Sequence, residues 1–262
     1  MGESTIFDLT GKKALVTGGA SGIGKACAIG MAKVGADVAI VDINEDMARE
    51  TVETIQGLGR VSIFVPCDVS DVSQVDAMVD KVVGSFGRLD IGFNNAGVAV
   101  HRPGLSLDEA ALFAWEKTLA VNLTGTYYCC RAEARHMIPQ GYGKIVNTAS
   151  MCATIVPQLT MMDTGVMPYC VSKAGVKQLT KALAAEWAQY NVYVNSISPG
   201  YVTTALIAGK PQEVLDADNL ATPLHREARP DEIVGGVLYL VSDASSFTTG
   251  CDVTIDGGYT VW

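Results

Sequence analysis

The chain has 262 residues, 48% of them hydrophobic and 18% charged, which is enough length and apolar content to bury a full-sized core in one α/β domain. A formal net charge of −9 leaves no basic stripe for a phosphate backbone, which excludes nucleic acid, and no apolar run reaches the roughly 18 residues a membrane span needs. MGESTIFDLT has neither the basic nor the apolar region of a signal peptide, and the seven cysteines form no C-x-x-C pair, so a cytoplasmic protein with reduced, mostly buried thiols and no metal site is expected.

From Lys13 onward, short β-branched runs alternate with amphipathic stretches. The strand ALVTG precedes a predicted helix over Ile23–Val34, DVAIVD a helix over Glu45–Gln56, and VSIFVPCD a helix over Val72–Phe86. LDIGFNN leads into a long helical stretch through Trp115 to Met137, and KIVNTAS into a helix over Tyr169–Tyr190. VYVNSIS is followed by an irregular region, a helix over Pro230–Val241 and a last strand over Cys251–Ile255. This is the pattern of βαβ units. It predicts an α/β fold of Rossmann type, a doubly wound parallel sheet of seven strands with helices on both faces. No linker or repeat interrupts it, so residues 1–262 are expected to form a single domain. The irregular region, Thr203–Arg229, has the length of a functional loop and reads as a substrate lid or as a surface excursion with a packing role.

The first strand runs into Thr17-Gly18-Gly19-Ala20-Ser21-Gly22-Ile23-Gly24 and then a helix. Glycines there let the backbone approach a pyrophosphate, which the free N–H groups and dipole of the helix start attract. Gly18, Ser21, Gly22, Ile23 and Gly24 are therefore candidate cofactor contacts, although a tight βα turn without a ligand has the same sequence. Asp42 ends the second strand 18 residues after Gly24, close to the distance at which an acidic residue meets the adenosine ribose. Its carboxylate would accept from both ribose hydroxyls and repel a 2′-phosphate, and neither Ala20 nor Ile43 offers a cation. NAD(H) is expected in preference to NADP(H). The alternative is that Asp42 caps the helix starting near Asn44. Asp68, with Val69 behind the third strand, would meet the adenine edge or N-cap the next helix. Asn94-Asn95-Ala96-Gly97 follows the fourth strand, at the carboxyl edge where ligands bind in this architecture.

Tyr169 and Lys173 are spaced i, i+4 on a predicted helix and share a face. A phenol is a poor base at neutral pH, and a nearby ammonium stabilises its phenolate, which turns tyrosine into a usable proton shuttle. An exposed helix pair has the same spacing. Ser150 ends the strand KIVNTAS, placed to hydrogen-bond a substrate oxygen or to start a helix. Asn122, polar within LAVNLTG, needs a buried partner or a water.

Taken in order, Thr17-Gly18-x-x-x-Gly22-x-Gly24, Asn94-Asn95-Ala96-Gly97, Asn122, Ser150, Tyr169-x-x-x-Lys173 and Pro199-Gly200 resemble the short-chain dehydrogenase/reductase family over essentially the whole chain. The resemblance implies an oxidoreductase that moves a hydride between NAD(H) and a secondary alcohol or ketone. Tyr169 would exchange the proton, Lys173 would lower its pKa and hold the nicotinamide ribose, and Ser150 would polarise the substrate oxygen. Asn122 would hold a water relaying protons to Lys173. Asn95, Ala96, Gly97, Pro199 and Gly200 would line the cofactor site, with Val202 by backbone and Thr204 by hydroxyl covering the carboxamide. A homotetramer is also implied, partly built from Val253, Ile255, Tyr259, Val261 and Trp262, whose apolar side chains are hard to explain on a solvated tail.

Within the family, NTASMCATIVPQ, VSKAGVKQLTKALAAEW, VNSISPGYVTT and TTGCDVTIDGGYTVW are similar to polyol dehydrogenases and ketose reductases. A small polyol or ketose is the implied substrate, held by Ser150, Cys152, Gln158 and Tyr169. His101 and Asp163 are further polar candidates, His101 reading more readily as an ordinary loop residue. Eighteen residues separate Ser150 from Tyr169, more than is usual in the family, and the apparent insertion Met161–Met167 would suit an adaptable apolar wall. A larger apolar ketone, such as a hydroxysteroid or a 3-oxoacyl thioester, is therefore the alternative. A silent NAD-sensing scaffold is the alternative of another class, and it has no need of Asn122, Ser150, Tyr169 and Lys173 together.

Overall fold

The computed structural model describes residues 5–100, 107–157, 166–204 and 211–261. His101, Gln158, Met161, Met162, Asp163 and Trp262 lie outside the described residues. The strands are β1 (Lys13–Thr17), β2 (Asp37–Asp42), β3 (Ser62–Pro66), β4 (Ile91–Asn94), β5 (Gly143–Thr148), β6 (Val192–Pro199) and β7 (Asp252–Ile255). They form one parallel sheet in the order β3-β2-β1-β4-β5-β6-β7. This is the doubly wound Rossmann-type sheet that the alternating pattern predicts.

Helices α1 (Gly22–Lys33), α2 (Glu45–Gly57), α3 (Val72–Phe86), α4 (Leu107–Leu119), α5 (Thr126–Gln140), α6 (Val166–Trp187), α7 (Gln212–Ala221) and α8 (Asp231–Val241) surround it. Successive strand residues point to opposite faces, so each strand feeds two cores. Leu15, Val41 and Ile145 pack with Val75, Met78 and Val82 of α3 and Cys129 of α5. Ala14, Val16 and Val146 pack on the other face with Met31 of α1 and Val237 and Leu240 of α8. Burial on both faces is why the strands read as near-continuous apolar runs.

Two departures bear on the site. The long helical stretch is broken between α4 and α5 by a π-helical turn, Ala120–Gly125, which carries Asn122. Helix α6 begins at Val166, three residues before the expected start, and holds Pro168 in its first turn, where a missing N–H costs no helix bond. Among the described residues no helix is long and apolar enough to cross a membrane.

Candidate active site

The chain leaves β1 for β2 on one side and reaches β4 on the other, so a crevice opens beyond the carboxyl ends of β1 and β4. Register pairs Thr17 with Asn94 and Asn94 with Asn147, which sets the ends of β1, β4 and β5 level. A cleft of about 730 Å³ lies there.

At one end is the glycine-rich turn. Gly18 and Gly22 have φ of +64° and +53°, backbone conformations that L side chains rarely adopt. Gly18, Ser21, Gly22 and Ile23 line the cleft. Gly24 does not line it but lies beneath, where a Cβ would run into the Gly18 carbonyl. Ser21, the N-cap of α1, makes no side-chain capping bond, so the first N–H groups of α1 have no intrahelical partner and none from that side chain.

Asp42 and Asp68 both line the cleft, and neither is an N-cap. The cap of α2 is Asn44, whose side chain accepts from Met47 N at 3.1 Å. The cap of α3 is Asp71, which accepts from Ser73 N and Gln74 N. Asp42 instead accepts from Ala20 N through Oδ2 and from Asn44 N through Oδ1, each at 3.0 Å. Those bonds fix the carboxylate against the glycine-rich turn and leave further lone pairs on both oxygens. Asp68 accepts from the backbone and hydroxyl of Ser70, and these bonds hold its carboxyl below the usual range. Val69 is buried beside it on the cleft wall.

Thr17 joins the two halves of the cleft, a role the sequence reading did not assign. Its Oγ1 accepts from Asn95 N at 3.0 Å and Ala96 N at 3.1 Å, while Asn95 Nδ2 donates to the Gly18 carbonyl at 3.3 Å. Asn95, Ala96 and Gly97 accordingly line the cleft. Asn94 does not; it is buried, donating to Glu133 and Asn147.

Ser150, Tyr169 and Lys173 meet at the opposite end. Ser150 caps a short 3-10 turn, Met151–Ala153, its Oγ accepting from Cys152 N at 3.2 Å, and its hydroxyl is near enough to the Tyr169 phenol to favour the ionised form. Lys173 Nζ lies 5.6 Å from the Tyr169 ring centroid and donates to the Thr148 carbonyl at 2.7 Å. Burial lowers Lys173 to about 8. Burial also pushes the Tyr169 phenol up, with the Ser150 hydroxyl pulling the other way.

Asn122 lies on the π-helical turn just behind. Its Oδ1 accepts from Val98 N at 2.8 Å, and its amide donates to Val98 O at 2.9 Å and Ser172 Oγ at 3.1 Å. Its side-chain amide is satisfied within the chain and clamps the Gly97–Val98 turn to α6. Gly97 sits between Asn122 Oδ1 and Lys173 Nζ, with each 3.4–3.5 Å from where a Cβ would stand.

Pro199, Gly200, Val202 and Thr204 form the far wall. Val202 bridges to Ala228, and Thr204 reaches across to Gly22. Tyr201, also on the wall, packs edge-on against Tyr259 of the C-terminal segment, and its phenol is pushed up by burial and by the neighbouring Asp218 carboxyl of α7. Within the described part of the irregular region, α7 sets the buried Asp218 carboxyl beside this wall, which its local sequence does not disclose. The C-terminal apolar residues are largely accounted for within the chain: Val253 and Ile255 pack on the core and Tyr259 packs edge-on against Tyr201, while Val261 is exposed.

A family model described as enoyl-(acyl carrier protein) reductase matches residues 18–260. A crystal structure of a short-chain type dehydrogenase/reductase from Mycobacterium marinum superposes with a TM-score of 0.88 at 40% identity, covering 97% of this chain and 98% of that one. The chain belongs to the short-chain dehydrogenase/reductase family. Curated relatives of this dehydrogenase/reductase include D-threitol dehydrogenase of Mycolicibacterium smegmatis, 43% identical over 97% of this chain and 95% of the relative. Cis-4-hydroxycyclohexanecarboxylate dehydrogenase of Sinomonas cyclohexanicum is 37% identical over 94% and 96%. The similarity to polyol dehydrogenases expected from the sequence is found. The dehydrogenase/reductase is thus an oxidoreductase acting on alcohol groups with a nicotinamide cofactor. The residues present fit such a group: the glycine cradle that a Cβ would fill, the open helix start and a carboxylate with unused lone pairs lie along one cleft.

Proposed function

We propose that this chain is an NAD-dependent dehydrogenase/reductase of a small polyol or ketose, reacting at a secondary carbon. The observation that carries the reading is that Ser150, Tyr169 and Lys173 meet at one end of a cleft whose other end is Asp42. Bound along it, the nicotinamide group supplies or accepts the hydride. Gly18, Ser21, Gly22, Ile23 and, from beneath, Gly24 shape the pyrophosphate end, while Asp68, Val69, Asn95, Ala96 and Gly97 line its middle. Asp42 offers its outer lone pairs to the ribose hydroxyls and opposes a 2′-phosphate. Pro199, Gly200, Val202 and Thr204 cover the reactive end.

Ser150 orients the substrate oxygen, and Tyr169 gives it a proton or takes one away. Lys173, held by the Thr148 carbonyl, is the cation that opposes the burial penalty on a Tyr169 phenolate. Asn122 spends both amide donors on Val98 and Ser172, so the relay water assigned to it would rest on acceptor positions. Cys152 and Gln158 complete the substrate contacts. The name of the D-threitol relative supports a polyol, and the free cysteines support a cytoplasmic setting. We read residues 1–262 as one domain and the assembly as a homotetramer, with the exposed Phe247 and Val261 available for contacts.

A second reading, a larger apolar ketone, is favoured by Val98, Val100, Met151, Pro157 and Val166 on the cleft wall and by the name of the cyclohexane-acting relative. Comparing kcat/KM for ketoses with that for cyclic and steroidal ketones decides between them. Preference for the apolar ketones by more than about tenfold, ~1.4 kcal/mol of transition-state binding, rejects the polyol.

A further inference from the structure

Glu133 of α5 is fully buried and does not line the cleft. Its carboxyl lies against Gly92 of β4, where a Cβ would run into Cδ and both carboxyl oxygens. The strand therefore has a notch that only glycine leaves open, and a carboxyl fills it.

From that notch a chain of buried hydrogen bonds runs beneath the cleft. Asn94 Nδ2 donates to Glu133 Oε2 and to Asn147 Oδ1, each at 3.1 Å. Cys130 Sγ donates to Asn147 Oδ1 at 3.2 Å, and Asn147 Nδ2 donates to Thr180 Oγ1 of α6 at 3.1 Å. Asn94 and Asn147 pair in register across β4 and β5, and the residue after each belongs to the site. Asn95 holds the Gly18 carbonyl, Thr148 holds the Lys173 ammonium, and Thr148 Oγ1 donates to Asn95 Oδ1 at 3.4 Å.

Two acceptors of this cluster, Glu133 Oε1 and Asn94 Oδ1, have no donor among the described residues. Among those residues no cation faces the carboxyl either. Its own helix presents the Cys129 and Cys130 thiols, and β4 presents Gly92 and Asn94. Lys144 of β5 lies on the α8 side, bonded to Ser242 O and Ser245 Oγ, with the Tyr193 ring of β6 beside it. On α6, Lys173 goes to Thr148, Lys177 to Asp252, and Lys181 is exposed. Asp76 and Asp80 of α3 pair with Arg131, Arg135 and His136 nearer the surface. A carboxylate in the notch would be a buried charge answered by one amide, whereas the neutral acid turns Oε1 from a surplus acceptor into a donor. Burial accordingly raises this carboxyl to about 7.

We propose that Glu133 is a positioning residue: seated over Gly92 as the neutral acid, it holds Asn94 and Asn147 so that Asn95 meets the cofactor and Thr148 aims Lys173. It touches no reacting atom. Loss of its proton puts a negative charge into the cluster, loosens that pairing and weakens the grip of the cleft on the cofactor. The proton on Glu133 and NADH therefore favour the same state. The inference rests on the nicotinamide cofactor lying along this cleft.

The test compares wild type with Glu133→Gln, as intact chains, by fluorescence titration of NADH from about pH 5.5 to 8.5. Glutamine has the shape of the neutral acid and does not ionise. Wild type should lose affinity by about fivefold or more around a midpoint near 7, whereas Glu133→Gln keeps the low-pH affinity through that step. Lys173, lowered to about 8, loosens both proteins alike, so the ratio of the two isolates Glu133. Gly92→Ala/Glu133→Ala, which fills the notch with methyl groups and still unfolds cooperatively, should bind NADH about fivefold or more weakly at every pH. Infrared spectra in heavy water at about pH 6 should show a protonated-carboxyl band that Glu133→Gln lacks. The same pH dependence in wild type and Glu133→Gln, wild-type affinity in the double variant, or absence of the band would each overturn the proposal. Were the chain to take NADPH in place of NADH, the NAD reading would fail, and the same titrations with NADPH would still decide Glu133.

Discussion

The Lys173 ammonium lies 2.7 Å from the main-chain oxygen of Thr148, and that bond ties α6 to the end of β5. The cation is thereby aimed into the cleft between Gly97 and the Tyr169 ring, at a place that neither helix spacing nor strand pattern specifies.

One consequence is a pH limit. Burial lowers Lys173 to about 8, whereas the Tyr169 phenol is pushed up and keeps its proton through that range. Lys173 is charged below about 8 and loses its proton above it, so kcat/KM for carbonyl reduction should fall as pH rises through about 8. A profile that stays flat up to about pH 10, the ordinary lysine range, contradicts this role for Lys173. Lys173→Ala should lose about 10²-fold or more in kcat and weaken NADH binding in a fluorescence titration.

Asp42 supplies the second prediction. Its carboxylate is pinned by Ala20 N and Asn44 N, so it cannot swing away from a 2′-phosphate. Wild type should turn over NADH faster than NADPH at equal concentration, and Asp42→Ala combined with Ile43→Arg should reverse the order. Faster turnover of NADPH by wild type refutes the electrostatic argument.

Glu133 on α5 offers a test of stability away from the chemistry. It is buried, with Oε2 accepting from Asn94 Nδ2 at 3.1 Å and Oε1 lacking a partner among the described residues. Burial raises its carboxyl to about 7. A carboxyl raised on folding contributes stability that is full below its unfolded value and lost as pH rises through the folded value. Relative to Glu133→Gln, wild type should therefore lose up to about 3 kcal/mol between pH ~4.5 and ~7. Urea unfolding of both proteins across that range checks it, and parallel pH dependence would count against a neutral Glu133.

Much of this was legible in the sequence because it depends on local rules. Alternating β-branched and amphipathic stretches gave the sheet, the glycines gave the turn at Gly18 and Gly22, and the i, i+4 spacing put Tyr169 and Lys173 on one face. What was not legible depends on partners far along the chain. Asp42 and Asp68 had the composition of caps, yet Asn44 and Asp71 hold those places, because capping is decided by which residue adopts extended backbone at the helix boundary. The π-helical turn at Asn122 carries no compositional mark, and its amide is satisfied by Val98, 24 residues away. Tyr201, Asp218 and Tyr259 come together only in the fold.

The most direct test of the central claim is Tyr169→Phe, which removes the hydroxyl from the cleft wall it shares with Ser150 and leaves the ring. Turnover of the preferred ketone with NADH should fall by 10²-fold or more, the usual worth of acid/base catalysis, while the NADH dissociation constant from fluorescence titration stays near that of wild type. Turnover within about tenfold of wild type would contradict the assignment of Tyr169 as the proton donor and, with it, the reading of this cleft.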